Sequence, residues 1–317
     1  MTHCGRGVKL EQNLKNRGNN QLDESPDVTS PRALSLLFKK YGLKPRRQLG
    51  QNFLIDANIV RKIIKAAEIS EDNYIIEIGP GAGALTAALA RSDVRLAVLE
   101  IDRGLIRLLK DQFKNLPQVK IMERDVLEVE WEEMLIGLAG RNTEVKLISN
   151  LPYNISGPFM YNLFREAFPF SKAILMFQKE VAQRLLANPG DSDYGTLSVL
   201  SRYYCRGENL FDVSKNVFWP RPKVDSTVIR LTPRSKELSN TEEKLFWEIV
   251  QSLFQQRRKT ILKRMSIHFN IPRNDLTELL KKAAIIPAAR PEELDVNQFA
   301  KLTRITYNYF SQIRERL

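Results

Sequence analysis

Apolar and polar positions follow two periods along the chain, and the switch between them predicts the secondary structure. Short apolar runs, which are typical of buried strands, occur at Tyr74–Ile78, Val94–Glu100, Val119–Glu123, Val145–Ser149 and Ala173–Gln178. Stretches with the apolar spacing of amphipathic helices lie between them, at Gly83–Arg91, Gly104–Phe113 and Gly157–Phe168. This alternation predicts an α/β fold with a mostly parallel sheet that helices cover on both faces.

The two ends of the chain differ from this alternating middle part. Residues 1–29 are rich in Asn, Gly, Gln and charged side chains without an apolar period, which predicts a flexible tail. Ser30 followed by Pro31 predicts the start of a helix that ends at Gly42. Val224–Leu231 predicts a late strand, after which only helical periods remain. We therefore expect three parts: a tail over residues 1–29, an α/β domain over residues 30–233 and a small helical domain over residues 234–317.

Charge is distributed unevenly along the 317 residues, whose formal net charge is +12. Residues 1–52 carry 10 Lys and Arg against 4 Asp and Glu, residues 231–317 carry 16 against 10, and the segment between them is neutral. Basic ends around a neutral middle favour a polyanionic partner, most simply nucleic acid. The 2 cysteines lack a disulfide or metal spacing, and neither a signal sequence nor an apolar run of bilayer length is visible. These features predict a cytoplasmic protein without a metal site or membrane span.

Four predicted strands in a row end in residues that suit a cofactor. The first leads into a glycine-rich loop, in which Gly79 and Gly81 let a ligand lie against bare backbone. Glu100 ends the next strand, where a carboxylate accepts the hydroxyls of a ribose; Asp125 follows the third strand, within reach of an adenine amine. Asn150 ends the fourth. Because the carboxyl ends of parallel strands meet at one crevice, these residues predict a site for a nucleoside-bearing cofactor.

The segment Asn150–Tyr153, with the sequence NLPY, has the chemistry of a methyl-acceptor site. An adenine amine is a poor nucleophile because its lone pair is delocalised into the ring. The Asn150 side-chain oxygen and the carbonyl of Leu151 or Pro152 can accept its two N–H groups and favour a tetrahedral nitrogen. A sulfonium methyl donor is already electrophilic, so orientation supplies most of the rate and no strong base is required.

Aromatic residues are predicted to hold the base. Tyr153 is placed to stack on it, which contributes ~1–3 kcal/mol per base. Phe218 and Trp219 precede a stiff proline-rich turn, and we predict that Phe218 forms the other face of the sandwich. The two histidines, His3 in the tail and His268 in the helical end, are not placed as bases, which argues against a histidine-dependent hydrolase.

Basic residues flank these segments and are predicted to contact RNA phosphates, although such runs also occur as solvated surfaces. They are Arg46, Arg47, Arg221, Lys223, Arg257, Arg258 and Lys259.

Taken in order, these segments resemble the KsgA-type small-subunit rRNA adenine dimethyltransferases. The resemblance is carried by QNFLID, EIGPGAGALT, LEID, RDVLE, SNLPYNISGP, MFQKEVAQRL, DYGTLSVL, FWPRPKVDSTVIRL and FQQRRKTI. It implies a Rossmann-like class I methyltransferase fold with a small helical domain and S-adenosylmethionine as donor. Two adjacent adenines near the 3′ end of 16S rRNA would each become N6,N6-dimethyladenine. The implied cofactor contacts are Asn52, Leu54, Gly79, Glu100, Asp125 and Asn150, and we expect a monomer that acts on the assembling 30S subunit.

Three other classes remain open at this point. The related Erm-type 23S rRNA adenine methyltransferases share the NLPY-like segment, but the segments GPGAG, DYGTLSV and QQRRKTI favour the KsgA type. A protein that keeps the fold and assists ribosome assembly without turnover is a second alternative. The third, an NAD-dependent oxidoreductase, fits the glycine spacing alone and offers no residue to handle a hydride.

Overall fold

The structure is a computed structural model that describes residues 28–92, 94–138, 143–166 and 168–314. The chain forms two compact units, one from Met1–Ala182 with Glu208–Thr232 and the other from Gln183–Gly207 with Pro233–Leu317. Residues 1–27 of the predicted tail, which include His3 and Cys4, lie outside the described residues. Val28, at the end of that tail, is only 4% exposed and belongs to a buried cluster with Leu34 and Phe38.

A seven-stranded sheet forms the centre of the first unit. Its strands are β2 Tyr74–Ile78, β3 Arg95–Glu100, β4 Val119–Glu123, β5 Val145–Asn150, β6 Lys172–Gln178, β7 Cys205–Val213 and β9 Ser226–Pro233. Their spatial order is β4-β3-β2-β5-β6-β9-β7. Strands β2 to β6 pair in parallel, and β9 pairs antiparallel with β6. The sheet confirms the predicted mostly parallel α/β fold; the late strand is antiparallel.

The segments between these strands form helices, because each segment carries its apolar residues in one stripe with the helical period. The first helix begins as predicted, since the Ser30 hydroxyl accepts the N–H of Ala33 at 3.2 Å and Pro31 follows it, and it ends at Gly42 with φ +65°. The helices of this part of the chain are α1 Pro31–Tyr41, α2 Ala57–Ala67, α3 Ala84–Ala90, α4 Arg103–Gln112, α5 Trp131–Leu138, α6 Ser156–Arg165 and α7 Lys179–Leu186.

The order of the parallel strands reverses between β2 and β5. Strands β3 and β4 follow on one side of β2, while β5 and β6 extend the sheet on the other. The helices after β2 and β5 therefore leave the sheet in opposite directions, which opens a crevice at the carboxyl ends of these two strands. Every residue of β2 is buried, as is each residue of β5 except its last, Asn150.

A short antiparallel ladder joins β1, Phe53–Leu54, to β8, Phe218–Trp219. Phe53 lies opposite Trp219, and Leu54 lies opposite Phe218. Successive side chains of a strand point to opposite faces. Phe218 accordingly enters the buried cluster around Leu54, while Trp219 packs against the ring of Phe38, with their centroids 5.5 Å apart.

The second unit is helical apart from the start of β7. Its helices are α8 Thr196–Tyr204, α9 Asn240–Phe254, α10 Ile261–His268, α11 Arg273–Lys282 and α12 Val296–Arg314. A capping box opens α12: the N–H of Gln298 donates to Asp295 Oδ1 at 2.8 Å, and the N–H of Asp295 donates to Gln298 Oε1 at 3.0 Å.

This second unit includes Gln183–Gly207, which we had expected within the α/β domain. Tyr203 packs on Phe246, with ring centroids 4.4 Å apart, and the Tyr194 hydroxyl donates to the Leu294 carbonyl at 2.8 Å. The ring contact and the hydrogen bond each join residues that are far apart in sequence, so the local pattern could not reveal them. Over the parts of the chain that the structure describes, no helix has the length and apolarity needed to cross a bilayer.

Candidate active site

The crevice at the ends of β2, β3 and β5 has a cavity volume of about 190 Å³. It brings together residues from four strand ends and from the segment around β1. Ten of the residues predicted for the site lie along its walls: Asn52, Leu54, Gly79, Gly81, Glu100, Asp125, Asn150, Leu151, Pro152 and Tyr153.

The glycine-rich loop lies close to neighbouring side chains. Gly79 and Gly81 have φ of +61° and +60°, values that favour glycine. A Cβ on Gly79 would lie 2.5 Å from Cγ of Pro152, and one on Gly81 would lie 2.8 Å from Cδ1 of Phe53. The loop therefore needs glycine for its conformation and for its contact with the NLPY segment.

Two buried carboxyl groups, Glu77 and Glu100, lie near this loop. Glu77 is 1% exposed, accepts the Thr86 hydroxyl at 2.7 Å, and has its pKa raised by burial to about 8. Glu100 is 7% exposed, and its Oε1 accepts the N–H groups of Ile101 at 2.8 Å and Asp102 at 2.9 Å. Burial raises the pKa of Glu100 to about 6, against the effect of these N–H groups, so Glu100 is the carboxyl of the pair that is ionised near neutral pH.

Asp125 follows two residues after β4 and caps the short 3-10 turn Val126–Glu128. Its Oδ1 accepts the N–H of Leu127 at 2.9 Å, which fixes the carboxylate at the rim of the crevice. A carboxylate has about four acceptor positions, so capacity for a ligand remains. Glu100 and Asp125 thus offer two acidic groups along the wall formed by β3 and β4.

The Asn150 side chain is held by one atom only. Its Nδ2 donates to the Asn52 carbonyl at 3.3 Å, while its Oδ1 is buried and has no hydrogen-bond partner within the part of the chain that the structure describes. Buried polar atoms are rarely left unpaired, because an unmade hydrogen bond costs about 1–3 kcal/mol. The Asn52 carbonyl therefore sets the orientation of the amide and leaves its oxygen available to a donor.

The two carbonyls of the NLPY segment differ in what they already bind. The Pro152 carbonyl accepts the N–H of Ile155 at 3.2 Å and the Ser156 hydroxyl at 3.1 Å. The Leu151 carbonyl has no such partner among the described residues, while the Leu151 N–H donates to the Met176 carbonyl at 3.2 Å. The Leu151 carbonyl is thus the better candidate for the second acceptor beside Asn150.

Tyr153 and Phe218 have different environments. The Tyr153 hydroxyl is 2.7 Å from Oγ of Ser226, a buried residue at the start of β9 whose role the sequence did not suggest. Its ring is half-buried and lies along the crevice. Phe218 is 2% exposed and does not line the crevice, because β8 turns its side chain into the cluster that contains Leu54. In this conformation Tyr153, unlike Phe218, lines the crevice.

The predicted RNA-binding cations are all exposed, but two of them already have partners. Arg46 Nε lies 3.4 Å from Asp102 Oδ2. Arg257 donates to Glu292 at 3.1 Å and to the Ser192 carbonyl at 3.1 Å, contacts within the second unit that fix the turn after α9. The other cations, for which the described residues show no such partner, are Arg47, Arg221, Lys223, Arg258 and Lys259.

Comparison with known proteins gives consistent family matches. A model of the family described as ribosomal RNA adenine dimethylase matches residues 42–307. The chain is 39% identical to ribosomal RNA small subunit methyltransferase A of Moorella thermoacetica, covering 87% of this chain and 98% of that protein. It is 40% identical to the protein of that name from Pelotomaculum thermopropionicum, covering 87% of this chain and 96% of that protein.

Solved structures show the same fold. The chain is similar to a dimethyladenosine transferase from Plasmodium falciparum, with a TM-score of 0.67 and 27% identity, covering 81% of this chain and 98% of that one. It is also similar to the 23S rRNA methyltransferase ErmE, with a TM-score of 0.59 and 25% identity, covering 80% of this chain and 99% of that one. The fold is therefore the Rossmann-like methyltransferase fold.

Proposed function

The chain belongs to the ribosomal RNA adenine dimethylase family, and we propose that its crevice dimethylates the N6 amines of two adjacent adenines near the 3′ end of 16S rRNA. The protein is an rRNA adenine dimethyltransferase, and S-adenosylmethionine is its methyl donor. The single observation that supports the proposed chemistry is the buried Oδ1 of Asn150, for which the described residues offer no hydrogen-bond partner.

The residues of the crevice fit this cofactor. The bare backbone at Gly79 and Gly81 admits a ligand against the sheet, and the ionised carboxylate of Glu100 suits the two ribose hydroxyls. We propose that Asp125 accepts the adenine amine and that Asn52 and Leu54, which also line the crevice, contact the cofactor. Once bound, the cofactor supplies an electrophilic methyl group, and the protein has to bring an acceptor nitrogen into line with it.

The acceptor nitrogen is activated by two hydrogen bonds. Asn150 Oδ1 accepts one N–H of the adenine amine, and the Leu151 carbonyl accepts the other. Both oxygens favour a tetrahedral nitrogen, whose lone pair is no longer delocalised into the ring and points at the methyl group. The proton lost after transfer comes from a nitrogen that then has four bonds, so it is acidic enough to leave to water without a basic side chain.

The base is held by stacking on Tyr153. The hydroxyl of Tyr153 is anchored on Ser226, which fixes the angle of the ring to the NLPY backbone. Phe218, the second stacking residue suggested by the sequence, instead supports this site from the core through Leu54. This anchored ring is a rigid platform for a base drawn out of the RNA stack.

We propose that exposed cations hold the RNA around the target bases. Arg47, Arg221 and Lys223 are exposed cations of the first unit, and Arg258 and Lys259 lie on an exposed turn of the second. We assign the helical domain to binding of the small subunit, and we expect a monomer that acts on the assembling 30S particle in the cytoplasm. The net charge of +12 supports binding to a polyanion.

Labelled methyl donor tests this function directly. The protein is incubated with small and with large ribosomal subunits from cells that lack it, and the rRNA is digested and analysed by mass spectrometry. We expect N6,N6-dimethyladenine at two adjacent positions of 16S rRNA and no label in 23S rRNA. Label confined to 23S rRNA would instead favour the activity of the structurally similar ErmE.

A further inference from the structure

Asp102 is a buried carboxylate that joins two walls of the crevice. It is 4% exposed, and its N–H donates to Oε1 of Glu100 at 2.9 Å. Its Oδ1 accepts the N–H of Gly104 at 2.9 Å and so caps α4. Its Oδ2 accepts the Nε2 group of Gln51 at 3.0 Å. Asp102, two residues after the proposed ribose-binding carboxylate Glu100, therefore holds the segment that leads into β1.

Gln51 extends this connection toward the acceptor site. Its Oε1 accepts the N–H of Arg46 at 2.7 Å, which closes the turn Arg46–Gln51. The next residue, Asn52, provides the carbonyl that binds Nδ2 of Asn150. A displacement of Gln51 would move that carbonyl, and the Asn150 amide would lose the contact that orients its oxygen.

We propose that Gln51 and Asp102 are a pair of positioning residues that hold the Asn52 carbonyl, and through it the Asn150 amide, in register with the cofactor carboxylate Glu100. This inference rests on the proposed function. Neither residue touches the reacting atoms. Their hydrogen bond ties the wall that binds the cofactor to the wall that orients the methyl acceptor, so both cofactor affinity and methyl transfer depend on it.

Exchange of the two side-chain types tests the pair. In Asp102→Asn the side-chain oxygen can still accept the N–H of Gly104 and cap α4. The new NH2 group then faces the NH2 group of Gln51, so two donors meet and the hydrogen bond between the side chains is lost. Gln51→Glu places a second carboxylate against Asp102. The double variant Q51E/D102N restores one hydrogen bond with donor and acceptor exchanged, and the carboxylate introduced by Q51E can also accept the N–H of Arg46. Rescue by the double variant is a result that general damage to the fold would not give.

Two matched controls separate the pair from its surroundings. Asp56→Asn makes the same substitution at another helix cap, where Asp56 accepts the N–H groups of Asn58 and Ile59 and does not line the crevice. Gln48→Glu adds a negative charge to the same segment at an exposed residue. We expect both controls to bind S-adenosylmethionine within about threefold of the wild type, because neither change leaves a buried polar atom unpaired.

Calorimetry with S-adenosylmethionine is the first readout, and hydrogen exchange at the Arg46 N–H, without cofactor, is the second. Each single variant should bind the cofactor at least about tenfold more weakly, because the partly buried bond between the two side chains is broken. Asp102→Asn should also lose protection at the Arg46 N–H, whereas Gln51→Glu keeps an acceptor for that group. The double variant should recover to within about threefold of the wild type, since the bond is restored.

Single-turnover methylation at saturating cofactor is the third readout, and its loss in the single variants and recovery in the double variant would support the link to Asn150. Additive losses in the double variant, or single variants that bind like the controls, would overturn the proposal. If wild-type protein bound the cofactor but left 16S rRNA unmethylated, the proposed function would fail, while binding and exchange would still decide the role of the pair.

Discussion

On the cofactor side of the crevice each acidic side chain is held by its own loop, whereas on the acceptor side each group is held by a residue far away in the chain. Glu100 and Asp125 accept N–H groups one or two residues further on. Asn150 and Tyr153 instead bond to residues 98 and 73 positions away. Local hydrogen bonds therefore orient the two carboxylates of the cofactor side, while the groups of the acceptor side are oriented only when distant segments of the first unit have come together.

The largest expected effect is on the acceptor side. Asn150→Ala removes the oxygen that accepts the adenine amine, and loss of one such preorganised group typically lowers the rate about 10²–10³-fold. We expect single-turnover methylation of small subunits to fall by this amount at saturating cofactor. Calorimetry should show a much smaller loss of cofactor affinity, less than about tenfold, because Gly79 and Glu100 remain. Equal losses in both measurements would mean that the two sides are not separable.

A smaller effect is expected on the cofactor side, where the affinity for the cofactor should fall and the methylation rate should change little. Glu100→Gln should weaken the binding of S-adenosylmethionine about tenfold, because a charged acceptor is replaced by a neutral one. The methylation rate at saturating cofactor should stay within about threefold of the wild-type rate. The raised pKa of Glu100, about 6, gives a second signature. Wild-type affinity should increase as the pH rises through this value and the carboxyl ionises, whereas the affinity of the variant should stay flat. A wild-type profile that is flat from pH 5 to 8 would contradict this assignment.

Removal of the Tyr153 anchor should cost less. Tyr153→Phe and Ser226→Ala each break the 2.7 Å hydrogen bond but leave the ring in place. We expect each to lower the methylation rate about three- to tenfold, with the double variant no worse than either single one, because one bond is lost in all three. Additive losses would show that Ser226 acts on something other than Tyr153.

The smallest effect on the reaction is expected from Glu77→Gln, because Glu77 is already neutral near pH 7. Its pKa is raised from 4.5 to about 8, so the stability that its neutral form contributes is full below pH 4.5 and is lost as the pH rises to 8. Glutamine does not titrate. Chemical denaturation should therefore show the variant gaining stability relative to wild type between pH 5 and 8.5. If the difference in the free energy of unfolding between variant and wild type stayed constant over this pH range, titration of Glu77 would be ruled out.

The same contrast explains which parts of the site could be predicted from the sequence. Gly79, Glu100 and Asp125 were found because each ends a strand, and parallel strands bring their carboxyl ends together whatever the rest of the chain does. Asn150 was found for the same reason. The choice between the Leu151 and Pro152 carbonyls depends on bonds from Ile155 and Ser156, which only the folded loop reveals.

Contacts between distant segments account for what the sequence did not predict. Phe218 and Trp219 are adjacent, and only the pairing of β8 with β1 decides that Phe218 faces the core. The bond between Gln51 and Asp102 joins residues 51 positions apart, and no periodic pattern encodes it. The position of Gln183–Gly207 could not be predicted for the same reason. The local pattern of this segment continues that of the α/β domain, but its aromatic residues pack within the second unit.

The central claim is that Asn150 Oδ1 and the Leu151 carbonyl together hold the adenine amine. A crystal structure of the protein with a non-reactive cofactor analogue and an RNA hairpin that carries the target adenines tests it most directly. We predict that N6 of one adenine lies about 3 Å from both oxygens, with the ring stacked on Tyr153. An adenine amine bound to the Pro152 carbonyl, or an Asn150 amide turned with Nδ2 toward the base, would contradict the account.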